Sequence, residues 1–498
     1  MEERVDGLTL NSKLLICIKI AVFWGIVVAL ILYASKIVQR KDSQKKYDDF
    51  FQAADQIDVL FLGSSHVLNS LNPLQMYQEY GITSYNMGKP GGMVTEAYWT
   101  LKNALDYCDP KCIVLDLWAL DRNYKYLDVM NGTEEEKVCR GSVSMLHTNM
   151  DCWPFSKTKY EAICDLIQDK ELRKEFWWDF SLYHDRWSSL EKNDFKLNNT
   201  LYVLGSEERK EFLKKPKINK PEDEVGTISG YSVSQQYLDK ILDLCEAEDI
   251  QVMLTFMPMV ESYKEDWQAA NYASQLAIEQ DVLFYNMLDP ESNGVIDYKT
   301  DMSDSSHLNA RGMRKMTSFI GRELSNVYGL TDHREEDAFG FWEQKVSAWN
   351  EKNKNELQNC TDVYCALGLV DALSYNAFVY MPYDSVYLHD ETVRELLKQI
   401  TGTDAVEQAK DTNGPYLCIL DTTNGKMLEQ VGEAQEMYED TVFGEIEYIG
   451  LRDFSAIYKN EDYDNNFLNM EEHIKDDMQI VLLNSAGDVE NVLFLSNS

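Results

Sequence analysis

Ile57-Asp58-Val59-Leu60-Phe61-Leu62-Gly63-Ser64-Ser65-His66 is an apolar, β-branched run of strand length that stops at Gly-Ser-Ser. A run of this kind, bounded by turn residues, predicts a buried strand. Asn72-Pro73 then opens a helical stretch, with proline at a first-turn position. Strand, tight turn and helix in that order put Ser64 or Ser65 at the carboxyl end of a strand, where open α/β sheets place ligands and nucleophiles. A serine hydroxyl is a weak nucleophile until a base takes its proton, so a histidine and an orienting acid are required. Asp304-Ser305-Ser306-His307-Leu308-Asn309, just before a helix expected to start near Ala310, offers both. Gly-Ser-Ser is also an ordinary βα turn, and Asp-x-x-His is also a helix cap with a histidine nearby.

Outward from this stretch the pattern alternates. Strands are predicted at 57–62, 82–87, 112–118, 250–257 and 282–287, and helices at 73–80, 93–107, 233–247, 264–280 and 310–327. That alternation argues a parallel sheet with helices on both faces. Residues 121–230 interrupt it after a central strand, on the ligand side of such a sheet. They contain Phe176-Trp177-Trp178-Asp179-Phe180 and Tyr183-His184-Asp185-Arg186-Trp187. These aromatics form either a lid or sugar-stacking wall, or the insertion's own small core.

Gly63-Ser64-Ser65, Asn86-Met87-Gly88 after the second strand and Asp304-x-x-His307 after the last one resemble the SGNH (GDSL-type) hydrolase superfamily. Within it they are most similar to the membrane-anchored group that includes the lipoteichoic acid D-alanylation protein and the alginate-type O-acetyltransferases. The resemblance covers about residues 55–330. It implies a flavodoxin-like three-layer α/β fold with Ser65 as nucleophile, His307 as general base and Asp304 as its orienter. Ser64 replaces the aspartate of Gly-Asp-Ser. The oxyanion donors implied are the backbone N–H groups of Ser65 and Gly88. The usual third donor, an asparagine in Gly-x-Asn-Asp, is missing, because the third strand ends in Asp116-Leu117-Trp118-Ala119-Leu120-Asp121. His66, Asn86, Lys89, His184, Arg186 and Trp187 are candidate substrate-binding residues. The activity implied is acyl-ester hydrolysis or O-acyl transfer, without a metal or other cofactor, on an extracellular polysaccharide or cell-wall polymer. A membrane-bound O-acyltransferase is the implied partner. A non-catalytic surface or assembly protein that kept the fold is the alternative.

The chain has 498 residues, more than one average domain. Residues 14–34, LLICIKIAVFWGIVVALILYA, carry a single charge at Lys19 and have the length of an uncleaved membrane anchor after a tail at 1–13. The resemblance puts the large domain outside the cytoplasm on a single-pass anchor. Lys36, Arg40, Lys41, Lys45 and Lys46 follow the span and only Arg4 and Lys13 precede it, which argues the opposite orientation. Residues 35–54 are expected as a tether, 331–358 as a polar connector and 359–498 as a second, α+β domain. In the last, strands are predicted at Ala377–Tyr380, Tyr416–Leu420, Gly444–Ile449 and Gln479–Leu483, with a helix at 391–400. Its pattern resembles the interleukin-like/FAM3-type domain, and a binding or packing role follows from its lack of a catalytic constellation. A net charge of −37 disfavours nucleic acid and an anionic bilayer surface as partners. Ten cysteines with no C-x-x-C and no Cys/His cluster argue against structural zinc, and Cys108/Cys112 and Cys360/Cys365 are spaced to be bridged.

Overall fold

The computed structural model describes residues 10–39, 46–123, 143–177, 180–195, 203–221, 225–289, 294–383, 385–451, 454–459, 467–469 and 478–496. Trp178 and Asp179 of the aromatic segment lie outside the described residues. The chain divides into two compact units, residues 1–52 with 123–202 and residues 53–122 with 203–498.

The first unit holds helix α1 (Leu10–Val38), whose stretch Lys13–Val38 is long and apolar enough to cross a membrane. A helix end leaves carbonyls without intrahelical partners. Here the Arg186 guanidinium fills that need, donating to Val38 O at 2.7 Å and Gln39 O at 2.6 Å while pairing with Asp194 at 2.9 Å. Phe176 is buried and stacks on His147 at 3.7 Å, and Trp177 stacks on Tyr160 at 5.4 Å. These aromatics make a small core of their own.

The second unit begins with a five-stranded parallel sheet of β1 (Val59–Leu62), β2 (Ser84–Asn86), β3 (Cys112–Asp116), β4 (Gln251–Phe256) and β5 (Leu283–Asn286), in the order β2-β1-β3-β4-β5. This is the strand order of flavodoxin-like sheets, whose switch point lies between β1 and β3. The central strands are apolar throughout because helices cover both faces. The covering helices are α2 (Pro73–Tyr80), α3 (Val94–Ala104), α4 (Val233–Ala247), α5 (Lys264–Gln280) and α6 (Ala310–Val327). α6 buries Met313, Met316, Ile320 and Leu324 in the sheet's core. It also lies so close to α2 that a Cβ at Gly321 would stand 2.4 Å from the Tyr80 ring.

Residues 331–358, expected as a polar connector, contain α7 (Gly340–Gln358), which packs into both halves of this unit. Trp342 is fully buried and stacks on Tyr77 at 5.8 Å, and Arg314 sits 4.9 Å from the centre of the Trp349 ring. Leu357 belongs to the core of the C-terminal domain. That core lies under α8 (Val363–Ala372) and α9 (Glu391–Thr401), against a sheet ordered β14-β13-β6-β7-β8. Its strands are β6 (Asn376–Met381), β7 (Tyr416–Asp421), β8 (Lys426–Val431), β13 (Met478–Leu483) and β14 (Val489–Leu495), all antiparallel. A second antiparallel sheet of β9 (Ala434–Thr441), β10 (Gly444–Leu451), β11 (Phe454–Lys459) and β12 (Phe467–Asn469) packs Ile446 and Tyr448 against Phe378, Leu417 and Val481 of the first. The described cysteines are all unbridged, including Cys108, Cys112, Cys360 and Cys365.

Candidate active site

β1 ends at Gly63, whose φ of +142° lies in the region that favours glycine and whose added Cβ would meet Asp116 Cβ at 2.8 Å. The chain can therefore turn tightly past the end of β3. Ser64 caps the four-residue helix Ser65–Leu68, its Oγ accepting from His66 N at 3.1 Å. The same hydroxyl donates to Asp116 Oδ2 at 3.1 Å, and Met257 N, at the end of β4, donates to Asp116 Oδ1 at 3.2 Å. Asp116 thus ties the carboxyl ends of three strands together beneath the turn. Burial raises its pKa to about 7, against the pull of the Met257 and Ser64 hydrogen bonds.

Ser65 opens the short helix, where backbone N–H groups have no intrahelical partner. Its Oγ lies 2.8 Å from His307 Nε2, and His307 Nδ1 lies 2.9 Å from each Asp304 oxygen. A proton on Nδ1, assigned from these contacts, leaves the Nε2 lone pair for the Ser65 hydroxyl. Asp304 Oδ1 accepts from the backbone N–H of Ser306 and His307, and Asp304 Oδ2 from the Arg209 guanidinium at 2.6 Å. Partial burial would raise the Asp304 carboxyl. The hydrogen bonds from His307 and the Ser306 N–H, with the charge of Arg209, outweigh it and hold the group well below the usual carboxylate range. Asn309 caps α6 directly after this loop, accepting from Gly312 N at 3.0 Å and donating to Thr300 O at 2.9 Å.

The other expected residues take different places. His66 is buried, edge-on to Trp118 at 5.3 Å and 5.5 Å from the His307 ring. Burial first, then the nearby His307, lower its pKa to about 3, so it is neutral, and its Nδ1 has no hydrogen-bond partner among the described residues. Asn86 donates to Val67 O and Leu71 O at 2.9 Å each, tying the loop after β2 to the chain behind Ser65. The Gly88 N–H donates to Asn86 Oδ1 at 2.9 Å in an Asx turn. The glycine is required for packing, since a Cβ would lie 2.7 Å from Leu68 N. The Lys89 ammonium is buried 3.1 Å from Glu96, as a charge removed from water must be paired. Arg186 caps α1 in the first unit, Trp187 there is half exposed, and His184 is exposed in the same segment.

Sequence reasoning missed Arg209. It lies on residues 203–213, the tail of the region read as an insertion. This tail runs beside the site: Leu204 O accepts from Asn86 N at 3.0 Å, Arg209 O from Ala310 N at 2.6 Å, and Met302 O from Leu213 N at 2.8 Å. No periodicity or motif marks that arginine. Asp116 was visible only as a departure from the expected strand ending. Among the described residues no group of three or more His, Cys, Asp or Glu side chains could hold a metal ion.

No protein-family model matches the chain, and no curated protein matches it. A solved structure similar to it is that of a candidate acylhydrolase from Bacteroides fragilis NCTC 9343, 10% identical, which covers 58% of this chain and 99% of its own at a TM-score of 0.29.

Proposed function

We propose that this protein is a membrane-anchored serine acyl-esterase or O-acyltransferase of the SGNH type, working through an acyl-Ser65 intermediate. The observation that carries the reading is the unbroken hydrogen-bonded series Ser65–His307–Asp304 at the carboxyl ends of a parallel sheet. As Ser65 Oγ attacks an acyl carbonyl, its proton passes to His307 Nε2 and the carbonyl oxygen takes up negative charge. The Ser65 N–H, at the start of the short helix, is the donor we assign to that charge. His307 then returns the proton to the departing alcohol oxygen, leaving the acyl group on Ser65. A second hydroxyl, from water in hydrolysis or from the acceptor in transfer, gives its proton to His307, takes the acyl group and frees Ser65. Asp304, fixed by Arg209 and two backbone N–H groups, keeps the imidazole in the required tautomer and stabilises the imidazolium.

The acceptor or donor we propose is an extracellular polysaccharide or cell-wall polymer, with a membrane-bound O-acyltransferase as partner and α1 as a single-pass anchor. This rests on the motif resemblance. A reporter fused after Ser498 that works only in the cytoplasm overturns the topology. A second reading, a non-catalytic surface or assembly protein, draws on the Gly88 N–H, which donates to Asn86 Oδ1 at 2.9 Å. Turnover of an aryl acetate and labelling by a fluorophosphonate decide between them. Ser65→Ala and His307→Ala should each remove turnover by several orders of magnitude with an unchanged circular dichroism spectrum, and the double variant should lose little more. Unlabelled, inactive wild type gives the advantage to the second reading.

A further inference from the structure

We propose that the C-terminal domain positions the catalytic loop, with Gln399 and Asp371 acting through Arg311. The proposal rests on the reading of Ser65, His307 and Asp304 as a triad. Asp304 and His307 sit on residues 300–309, which belong to no strand ladder and no helix longer than a turn. Their placement therefore depends on what the loop is fastened to. The fastening is Asp301, fully buried at the loop's base. Its carbonyl accepts from Asn309 N at 3.0 Å, closing the loop on itself. Its carboxylate takes Asp297 N at 2.8 Å, Thr300 Oγ1 at 3.0 Å, Arg311 Nη1 at 2.8 Å and Lys315 Nζ at 2.6 Å.

Arg311 is buried too, and half of what holds it comes from the other domain. Gln399 Oε1, on α9, accepts from Arg311 Nη1 at 2.5 Å. Asp371 Oδ2, on α8, accepts from Arg311 Nε at 3.1 Å and pairs with Nη2 at 3.0 Å. Gln399 also reaches the loop's approach directly, its Nε2 donating to Asp297 Oδ2 at 2.7 Å and to Thr300 Oγ1 at 3.2 Å. A buried guanidinium stripped of one partner must find another or drag its remaining partners with it. Here the remaining partner is the loop's anchor. A displacement of about 1 Å at a reacting group costs on the order of 100-fold in rate. The contacts on the other sides of the loop, Ser305 O to Val260 N at 2.9 Å and Met302 O to Leu213 N at 2.8 Å, come from the hydrolase part and leave this side to the C-terminal domain.

The test uses the full chain in detergent with four variants. Gln399→Ala and Asp371→Ala remove the proposed links. Gln399→Glu combined with Asp297→Asn reverses the polarity of one link and keeps it, because a glutamate accepts from both Arg311 and the new amide. Lys214→Ala weakens the same domain junction elsewhere, where Lys214 lies over Tyr364 at 4.5 Å. The readouts are kcat and KM for p-nitrophenyl acetate, the rate of fluorophosphonate labelling, the thermal midpoint, and the low-field proton resonance of His307 Nδ1–H in histidine-labelled protein. Gln399→Ala and Asp371→Ala should lower kcat and the labelling rate about tenfold or more, leave KM within about twofold, and shift or broaden the resonance. The double variant should recover most of the loss, and Lys214→Ala should change none of these beyond its effect on the midpoint. Unchanged labelling and resonance in both link variants overturn the proposal, as does an equal loss in Lys214→Ala. Should wild type neither turn over nor label, the triad reading fails by itself, and the resonance still decides whether the C-terminal domain sets the loop.

Discussion

Asp116→Asn should stabilise the protein, and more so as pH rises. The carboxyl has a pKa of about 7 in the folded chain against an ordinary value of 3.8, and the cause is burial beneath the nucleophile turn. The unfolded chain ionises first, so the stability that comes from holding this proton is complete below about pH 4. It is lost progressively as pH rises through the folded value and stays lost above it. At about 1.36 kcal/mol per unit, the penalty carried by wild type is about 2 kcal/mol at pH 5 and about 4 kcal/mol at pH 8. Asparagine never ionises and escapes the penalty. Its Oδ1 still accepts from Met257 N, and its Nδ2 still meets the Ser64 hydroxyl, which is able to accept. A chain with several domains does not unfold in one step, so the measurement should be local. Hydrogen exchange of the β3 amides, read by mass spectrometry on wild type and variant at the same pH, cancels the intrinsic pH dependence of exchange. The difference in opening free energy should grow by about 2.7 kcal/mol between pH 5 and pH 8. A flat difference across that range refutes the reasoning, because Asp116 would then be ionised in the folded state throughout.

Arg209→Gln should lower kcat about tenfold, because the Asp304 carboxylate loses the cation that fixes it. Asp304 is held low, so its share of stability is present above its unfolded value and lost as pH falls through the folded one, and removing a cation raises that folded value; thermal unfolding of wild type and variant at acid pH checks it. Gly63→Ala should abolish Ser65 labelling and destabilise the chain by about 1–3 kcal/mol, measured by thermal unfolding, because the turn has φ +142° and the methyl meets Asp116. Limited proteolysis should leave 340–358 uncut in the folded protein, and Trp342→Ala should cost about 3–5 kcal/mol, because that ring is fully buried against Tyr77. Cleavage inside α7 at native conditions contradicts the shared core.

What the sequence by itself determined was whatever depends on near neighbours in the chain. β1, β3 and β4 were legible because a strand buried on both faces carries a nearly continuous apolar run. The turn at Gly63 and the helix start at Asn72-Pro73 were legible because their residue types are favoured locally. In the C-terminal domain the same logic found β6, β7 and β13, which are buried along their whole length, and missed β8 and β14, whose residues are largely exposed or half-buried. Residues 331–358 read as a polar connector although Trp342 and Trp349 in them are buried, since nothing in a polar helix says which distant surface its few apolar residues will meet. Tertiary structure alone decided that Ser65, His307 and Asp304 meet within hydrogen-bond distance, and that Arg209 holds the acid. It alone decided that Asn86 takes the Gly88 N–H and that Glu96 takes the Lys89 charge. Each of these is a choice of partner among groups far apart or equally suited. Hydrogen-bond and charge partners are selected by position in space and by the cost of leaving a buried polar group alone, and neither quantity is written in the order of residues.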